Sequence, residues 1–574
     1  MIILNNLVKC LLGYKKELTF GPIFKLIEAV IEVFLPFILA DTINKINTMN
    51  NAFIIHRGLF MLFLALIGFL FASIAQFSAA KASQGFGTEL RNKLFKHICN
   101  LSSIQVENFG SSVLVNRITN DVTNLEVAVA MFIRLVIRVP FLIIGSLVMV
   151  YFINRKLFFI LLTATILLSI TIYFIVTASS RYHALSNKKL DRLALHIKEN
   201  LVNMRIVRSF LGQKREQHTF DILNNNVYAL SEKANFISNL LNPINTLILD
   251  ISVIAILYIG NIQILNSSIT QGDLIAIINY ISQILLAIVV LSNLVIIYTK
   301  AFASVGRVNE ILNIKPLLVN GNIKEFKNCD IAVKFNNVSF GFNDKVNFLN
   351  SINIEFKAGE KIGIIGLTGS GKSVFLNLIN RTYDVISGNI LLYGKDIKDY
   401  DLEFLKNTVR FIDQKPCFLT TSIKDNVKLS NNCSNLEIEK ALDLSSALEF
   451  VNSLPDGIDH KLENNANNLS GGQKQRISIA RAFIGSPSIL ILDDTTGALD
   501  FATESNILNN IFNFVDEHNC TTFIASQKIS SIYRCDRIIV FDNGNIESIG
   551  SHKDLLKISP LYQKMYSMQT KEEV

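Results

Sequence analysis

The chain has 574 residues, of which 50% are hydrophobic and only 18% charged, with a mean hydropathy of +0.37. Its length exceeds one ordinary core, and its balance argues against a soluble single-domain protein and for a membrane protein with more than one domain. The formal net charge of +8 is read as lipid-facing, with no nucleic-acid partner expected, because the basic residues mostly flank apolar segments.

Residues 1–19 carry Lys9, Lys15 and Lys16 without a small-residue cleavage site, so no cleavable leader is expected. Six stretches then have the ~20 apolar residues that cross a bilayer. They run roughly 20–40, 58–80, 131–153, 157–179, 243–265 and 274–298. The third and fourth are joined by little more than Asn154-Arg155-Lys156, and the fifth and sixth by a Ser/Thr/Gly turn. The long connections, Gln84–Glu126 and Arg181–Asn239, have helical period and are rich in basic residues. Arg91, Lys93, Lys96 and Arg117 lie in the first; Arg181, Lys188, Lys189, Arg192 and Lys198 lie in the second. The positive-inside rule puts both connections and both termini in the cytoplasm. The spans should therefore run on into water as helical hairpins, with tips near Gly110–Arg117 and Gly212–Glu216. Glu28 and Glu32, on one face of the first span, read as an acidic lining for a cationic substrate, or as residues that sit near the interface or hydrogen-bond to neighbouring helices, and Asp250 in the fifth span is a weaker case. Seven scattered cysteines without a C-x-x-C pair suggest neither a disulfide framework nor a zinc site.

Composition shifts after Arg307. The predicted organisation is an all-α six-helix transmembrane domain over 1–312, a polar connection over 313–330, an α/β domain over 331–565 and a tail over 566–574. In the α/β half, Gly366-Leu367-Thr368-Gly369-Ser370-Gly371-Lys372-Ser373 fits the phosphate-binding loop G-x-x-x-x-G-K-[ST] at every fixed position. A short apolar strand precedes it and a helix follows, the context in which backbone N–H groups and a helix N-terminus wrap phosphate oxygens. Lys372 would reach the β- and γ-phosphates and Ser373 would hold Mg²⁺. Upstream, Phe342 could stack on a base. Gln414 follows a predicted strand, within reach of Mg²⁺ or an attacking water. Ser470, Gly471, Gly472 and Gln473 open a further helix with anion-binding geometry. Ile489–Leu492 reads as a buried strand that ends in Asp493, a Mg²⁺ partner, and Asp494 sits where a base for water attack is needed.

Taken together, the loop at 366–373, the L-S-G-G-Q at Leu469–Gln473 and the strand ending at Asp493 resemble an ATP-binding cassette. With six spans before it, the whole chain resembles a half-size ABC exporter of the lipid-flippase and multidrug type. Weaker matches reinforce this: Leu90-Arg91 with Leu94-Phe95, Arg117 to Asp121, Gly272-Asp273-Leu274, and Arg307 with Glu310. The resemblance implies ATP and Mg²⁺ as ligands, a bacterial inner-membrane location, and a lipid or amphipathic, hydrophobic substrate. It also implies a second half-transporter subunit, with each nucleotide held between one chain's 366–373 loop and the other's Ser470–Gln473.

Three positions depart from that family. Asp494 stands where the family has Glu, one methylene shorter. Gln527 aligns with the family's switch His, and Glu463–Asn468 lacks the usual Glu-Arg-Gly. Asp494 and Gln527 with an intact L-S-G-G-Q look like the weakened site of heterodimeric exporters; ordinary drift in a homodimer that hydrolyses ATP slowly is slightly favoured, with the heterodimer as the alternative. A non-transporting ABC regulator is a further reading. A binding-protein-dependent importer fits less well, because importers usually keep spans and cassette on separate chains.

Overall fold

A computed structural model describes residues 10–45, 51–327, 329–341, 348–429, 431–485 and 487–571. The chain divides into two units, one built of 1–100 and 106–314 and the other of 101–105 and 315–574.

The first unit is helical. Its six long helical rods are α1 (Lys15–Lys45), α2 (Asn51–Cys99), α3 (Ser111–Ile153), α4 (Arg155–Val202), α5 (Gln213–Leu265) and α6 (Gln271–Leu312). Each contains one predicted span, and the five from α2 to α6 are long and apolar enough to cross a membrane. Between α3 and α4 the chain extends at Asn154, whose side chain accepts from the Lys156 and Leu157 amides and starts the next helix. Thr270 and Asp273 form a reciprocal capping box at the start of α6. The breaks fall where the sequence pattern failed: Gly110 has φ 77° before α3, and Leu211 has φ 53° before α5. The second break leaves Leu201, Val202, Phe210 and Leu211 strongly exposed on this unit.

Small residues Ala75, Ser78, Ala79, Ala82 and Ser83 make one buried stripe on α2, which lets helix backbones approach closely. Polar groups tie the rods: the buried Tyr280 hydroxyl donates to the Val33 carbonyl at 2.8 Å, and Gln283 donates to the Glu32 carbonyl at 3.1 Å. The strongest cross-link joins α3 to α6. Asp121, almost fully buried, accepts from Ser304 at 2.8 Å, Arg307 Nε at 3.0 Å and Arg117 at 3.1 Å. Burial pushes the Asp121 carboxyl up, but Arg307, Ser304 and Arg117 together hold it below its ordinary value. The helix is locally π-wound over Arg117–Asp121, and again over Phe132–Val136.

The second unit is α/β. Strands β1 (Ile331–Phe340), β2 (Leu349–Lys357), β4 (Ser387–Leu392) and β5 (Lys395–Asp396) form an antiparallel sheet in the order β2-β1-β4-β5. A six-stranded sheet runs β10-β9-β3-β8-β7-β6, from β3 (Lys361–Gly366), β6 (Val409–Ile412), β7 (Ile489–Asp493), β8 (Thr521–Ala525), β9 (Arg537–Asp542) and β10 (Asn545–Gly550). All its pairings are parallel except β10 with β9. Parallel strands with covered faces read as continuous apolar runs, which is why β7 and β8 are buried at every position. Residues 315–330 belong to this unit: the buried Arg381 donates to the Val319 carbonyl at 2.8 Å, and Gly321 N–H to the Tyr400 carbonyl at 3.1 Å. The helix Pro560–Lys571 runs on past residue 565, and Tyr566 packs on His552.

Asp121→Asn removes the charge that holds Arg117 and Arg307. Breaking a buried pair costs about 3–5 kcal/mol. Because Arg307 is more than a third exposed, the expected loss is at the low end, and a reduced thermal midpoint of the full chain in detergent checks it.

Candidate functional site

The parallel register decides where the candidate side chains meet. Ile364, Ala525 and Asp493 lie in one row across β3, β8 and β7, and Ile412 pairs with Leu492 one residue earlier. Gly366, Gln414, Asp494 and Gln527 therefore all leave the same carboxyl edge of the sheet, where open α/β sheets bind ligands.

The phosphate loop closes tightly there. Gly371 has φ 104°, and a Cβ at that position would sit 2.9 Å from the Leu349 side chain. At Gly366 a Cβ would lie 2.4 Å from the Phe541 carbonyl, so only glycine fits. Gly371 starts α7 (Lys372–Ile379), which points its N-terminus into the loop. The Lys372 ammonium donates to the Gly366 and Leu367 carbonyls at 2.7 and 3.0 Å, curled into the loop. Burial pulls Lys372 below the usual lysine range, against the opposing pull of Asp494 and Asp493. The Ser370 hydroxyl is buried without a partner among the described residues, a donor and acceptor facing the loop interior.

Asp493 and Asp494 have different surroundings. Burial drives the Asp493 carboxyl above its ordinary range, and the charges of Asp494 and Asp413 push the same way, while Ser373 hydrogen-bonds it and Lys372 draws it down. Asp494 has φ 47° and turns out of the strand, with its N–H donating to the Ala525 carbonyl at 2.9 Å. Its Oδ2 accepts from Gln414 at 3.1 Å and from Gln527 at 3.5 Å. Six candidates thus converge: Ser373 on Asp493, Gln414 and Gln527 on Asp494, and Lys372 within electrostatic reach of both carboxylates. Ser373, Asp493 and Gln414 supply hard oxygen donors, the set that suits Mg²⁺.

The L-S-G-G-Q segment lies elsewhere on this unit. Ser470 caps α8 (Gly471–Ala480), its hydroxyl accepting from the Gln473 amide at 3.3 Å while Gln473 Oε1 accepts from Ser470 N–H at 2.9 Å. Its hydrogen bonds do not join the Asp494 cluster. Phe342 lies outside the described residues.

Three contributors escaped the sequence reading. Arg481, at the end of α8, donates to the Asn426 and Cys417 carbonyls at 2.8 and 3.0 Å and so fastens the loop after Gln414. Asp413 adds charge beside Asp493. Glu504, almost fully buried in α9 (Phe501–His518), accepts from Thr496, Lys528 and Ser531 at 2.7, 2.7 and 2.6 Å. In sequence it is an ordinary first-turn acid.

Of the two readings left open for Glu28 and Glu32, their partners favour contacts with neighbouring groups over an acidic lining. Glu28 pairs with Lys25 at 2.6 Å, and Arg138 reaches Glu32 at 2.8 Å and Glu28 at 3.8 Å. Two carboxylates meet two cations, so this patch is not net acidic. Asp250 is exposed on α5, bordering an open cavity of about 630 Å³ with Asn242, Thr246 and Ile254.

Comparison with known proteins follows the same division of the chain. Residues 18–289 match the ABC transporter transmembrane region, and residues 349–497 match the ABC transporter family. An ABC transporter ATP-binding protein of Bacillus subtilis (strain 168), YfiB, is 32% identical over 95% of both chains. This chain is a half-size ABC exporter. An ATP-dependent lipid A-core flippase of Desulfotalea psychrophila is 29% identical over 99% of both chains. The structure of a bacterial Atm1-family ABC exporter with ATP bound superposes with a TM-score of 0.80 at 21% identity, covering 98% of this chain and 99% of that one, and shares its fold. The exporter is accordingly a multi-pass membrane protein with an ATP-binding, ATP-hydrolysing domain, and a half-size chain works with a second half-transporter.

A carboxyl whose folded value is raised opposes folding wherever it is ionised. Asp493→Asn should therefore raise the thermal midpoint of the nucleotide-free exporter at neutral pH. That gain should fade as pH falls through the raised Asp493 value toward the ordinary aspartate range, which a pH series of melting curves checks.

Proposed function

We propose that this exporter binds Mg·ATP between its own 366–373 loop and the Ser470–Gln473 segment of a second subunit, and uses the cycle to move a lipid or amphipathic substrate by alternating access. The observation that carries the reading is the convergence on Asp493 and Asp494 at the mouth of the loop. Backbone N–H groups from Gly366 to Ser373 and the Lys372 ammonium hold the phosphates, with Ser370 available to them. Lys372 would exchange its two carbonyl acceptors for phosphate oxygens. Ser373, Gln414 and Asp493 would hold Mg²⁺, which when bound neutralises charge gathering on the phosphates. Phe342 would stack on the adenine.

Asp494 is the candidate base, aimed at a water beside the γ-phosphate, with Gln414 orienting it. Gln527 senses the γ-phosphate through its amide, which can donate a hydrogen bond but cannot carry a proton as histidine does. An aspartate base stands roughly 1.5 Å, about one C–C bond, short of a glutamate. Misplacement on that scale costs about a hundredfold in rate. The site is therefore read as binding ATP well and hydrolysing it slowly.

Two assemblies follow: a slow homodimer, or a heterodimer in which the intact L-S-G-G-Q completes a faster partner site. The location the family resemblance implies is the bacterial inner membrane, and the basic connections favour a cytoplasmic ATP-binding domain and cytoplasmic termini. The Glu28–Lys25 and Glu32–Arg138 pairs favour a substrate recognised by apolar surface over one selected for positive charge. ATP-dependent flux in sealed vesicles, measured in both directions, tests export against a non-transporting regulator.

Asp494→Glu combined with Gln527→His should raise the turnover of the purified chain by up to about a hundredfold. Robust Mg·ATPase activity of the unmodified chain alone, abolished by Asp494→Asn, would sink the weakened-site reading.

A further inference from the structure

The segment after β8 carries Gln527 but has little backbone pairing to hold it. Ser526 N–H donates to the Ile364 carbonyl at 3.1 Å, and the next backbone bonds are the short turns within 528–533. Side chains fix the rest. On one flank, Glu504 grips Lys528 and Ser531 and reaches across to Thr496, just beyond Asp494. On the other flank stands Gln569, from the helix Pro560–Lys571. Its Nε2 donates to the Gln527 carbonyl at 2.7 Å, and its Oε1 accepts from the Ile529 N–H at 2.9 Å.

Those two bonds straddle Lys528 and pair with the backbone as a neighbouring strand would. Only an amide side chain offers an acceptor and a donor side by side for this; a carboxylate lacks the donor, and a lysine or arginine lacks the acceptor. The helix that carries Gln569 is itself anchored. Tyr562 is fully buried with its hydroxyl 2.7 Å from His552 Nδ1, and Leu561, Met565 and Tyr566 pack on the same core as Ile529 and Ile532. Gln569 thus reaches the Gln527 backbone from a fixed base, while the Gln527 amide on the other side of the same residue reaches Asp494.

We propose that Gln569 is a positioning residue for the γ-phosphate contact: by pairing with the backbone at 527 and 529 it sets where the Gln527 amide stands. This rests on the reading of Gln527 as the γ-phosphate sensor. The C-terminal helix is then part of the nucleotide response and not only a cover for the core.

The test uses the full chain in lipid nanodiscs, with Mg·ATP and Mg·ADP affinities measured by competition against a fluorescent nucleotide. The ratio of the two affinities reads the γ-phosphate contact whether or not hydrolysis is fast. Gln527→Ala should lower the preference for ATP by about tenfold, the worth of one hydrogen bond to a charged group. Gln569→Ala and Gln569→Glu should each lower it by about threefold, since both lose the donor to the Gln527 carbonyl, with ADP affinity and thermal midpoint near those of the parent. In a Gln527→Ala background, Gln569→Ala should cause no further loss, the non-additivity expected of residues acting through one another. An unchanged preference in Gln569→Ala, an equal fall in ATP and ADP affinity, or an additive double variant each overturns the proposal while leaving Gln527 in place. An unchanged preference in Gln527→Ala instead removes the sensor reading itself, and the proposal with it.

Discussion

The end of strand β7 concentrates negative charge where burial opposes it, and the rest of the cassette is arranged around that constraint. β7 is buried along its whole length and delivers Asp493 into a place that raises its carboxyl above the ordinary range. The chain then takes a left-handed turn at Asp494, which swings the second carboxylate out toward the mouth of the phosphate loop. Each neighbouring element supplies something to offset the charge: α7 brings Lys372 and Ser373, the β6 edge brings Gln414, and the β8 edge brings Gln527. A cluster of carboxylates with amide and hydroxyl oxygens is poorly satisfied by itself and well suited to a divalent cation and its phosphates.

The membrane unit handles charge by the same rule. Ionised groups in a low-dielectric setting persist where opposite charges and hydrogen bonds compensate them. Asp121 gathers Arg117, Ser304 and Arg307, and in doing so pins α3 to the end of α6. Glu28 and Glu32 gather Lys25 and Arg138. π-winding over Arg117–Asp121 and Phe132–Val136 accompanies these ionic contacts, as extra residues in a helix often mark positions where a side chain must be re-aimed.

Legibility in the sequence tracked the range of the interaction. The phosphate loop could be read because its glycines, lysine and serine are contiguous and each is demanded by close backbone approach. The short join at Asn154 and the breaks near Gly110 and Gly212 could be read because polar joins and turn residues act locally. The two readings of Glu28 and Glu32 could not be separated in the sequence because their shared helix face is visible there, whereas Arg138, which neutralises Glu32, lies 106 residues away. Glu504, Arg481 and Gln569 gave no signal because each looks like a common helix residue, and each acts on a loop distant in sequence. The anchoring of the helix Pro560–Lys571 on the cassette core gave no local signal either, because it depends on Leu561, Met565 and Tyr566 meeting residues distant in sequence.

The sequence by itself determined the kind of machine: six apolar stretches of spanning length, a phosphate loop, an L-S-G-G-Q and an apolar strand ending in two aspartates are local patterns, and local patterns survive in one dimension. Tertiary structure alone decided which of those groups act together. The parallel register of β3, β8, β7 and β6 brought Gly366, Gln527, Asp494 and Gln414 to one edge, and Arg138, distant in sequence, paired with Glu32 and joined the local Lys25–Glu28 pair in a neutral patch. The physical reason is that sheet pairing and charge compensation depend on distance in space, which the spacing along a chain does not encode.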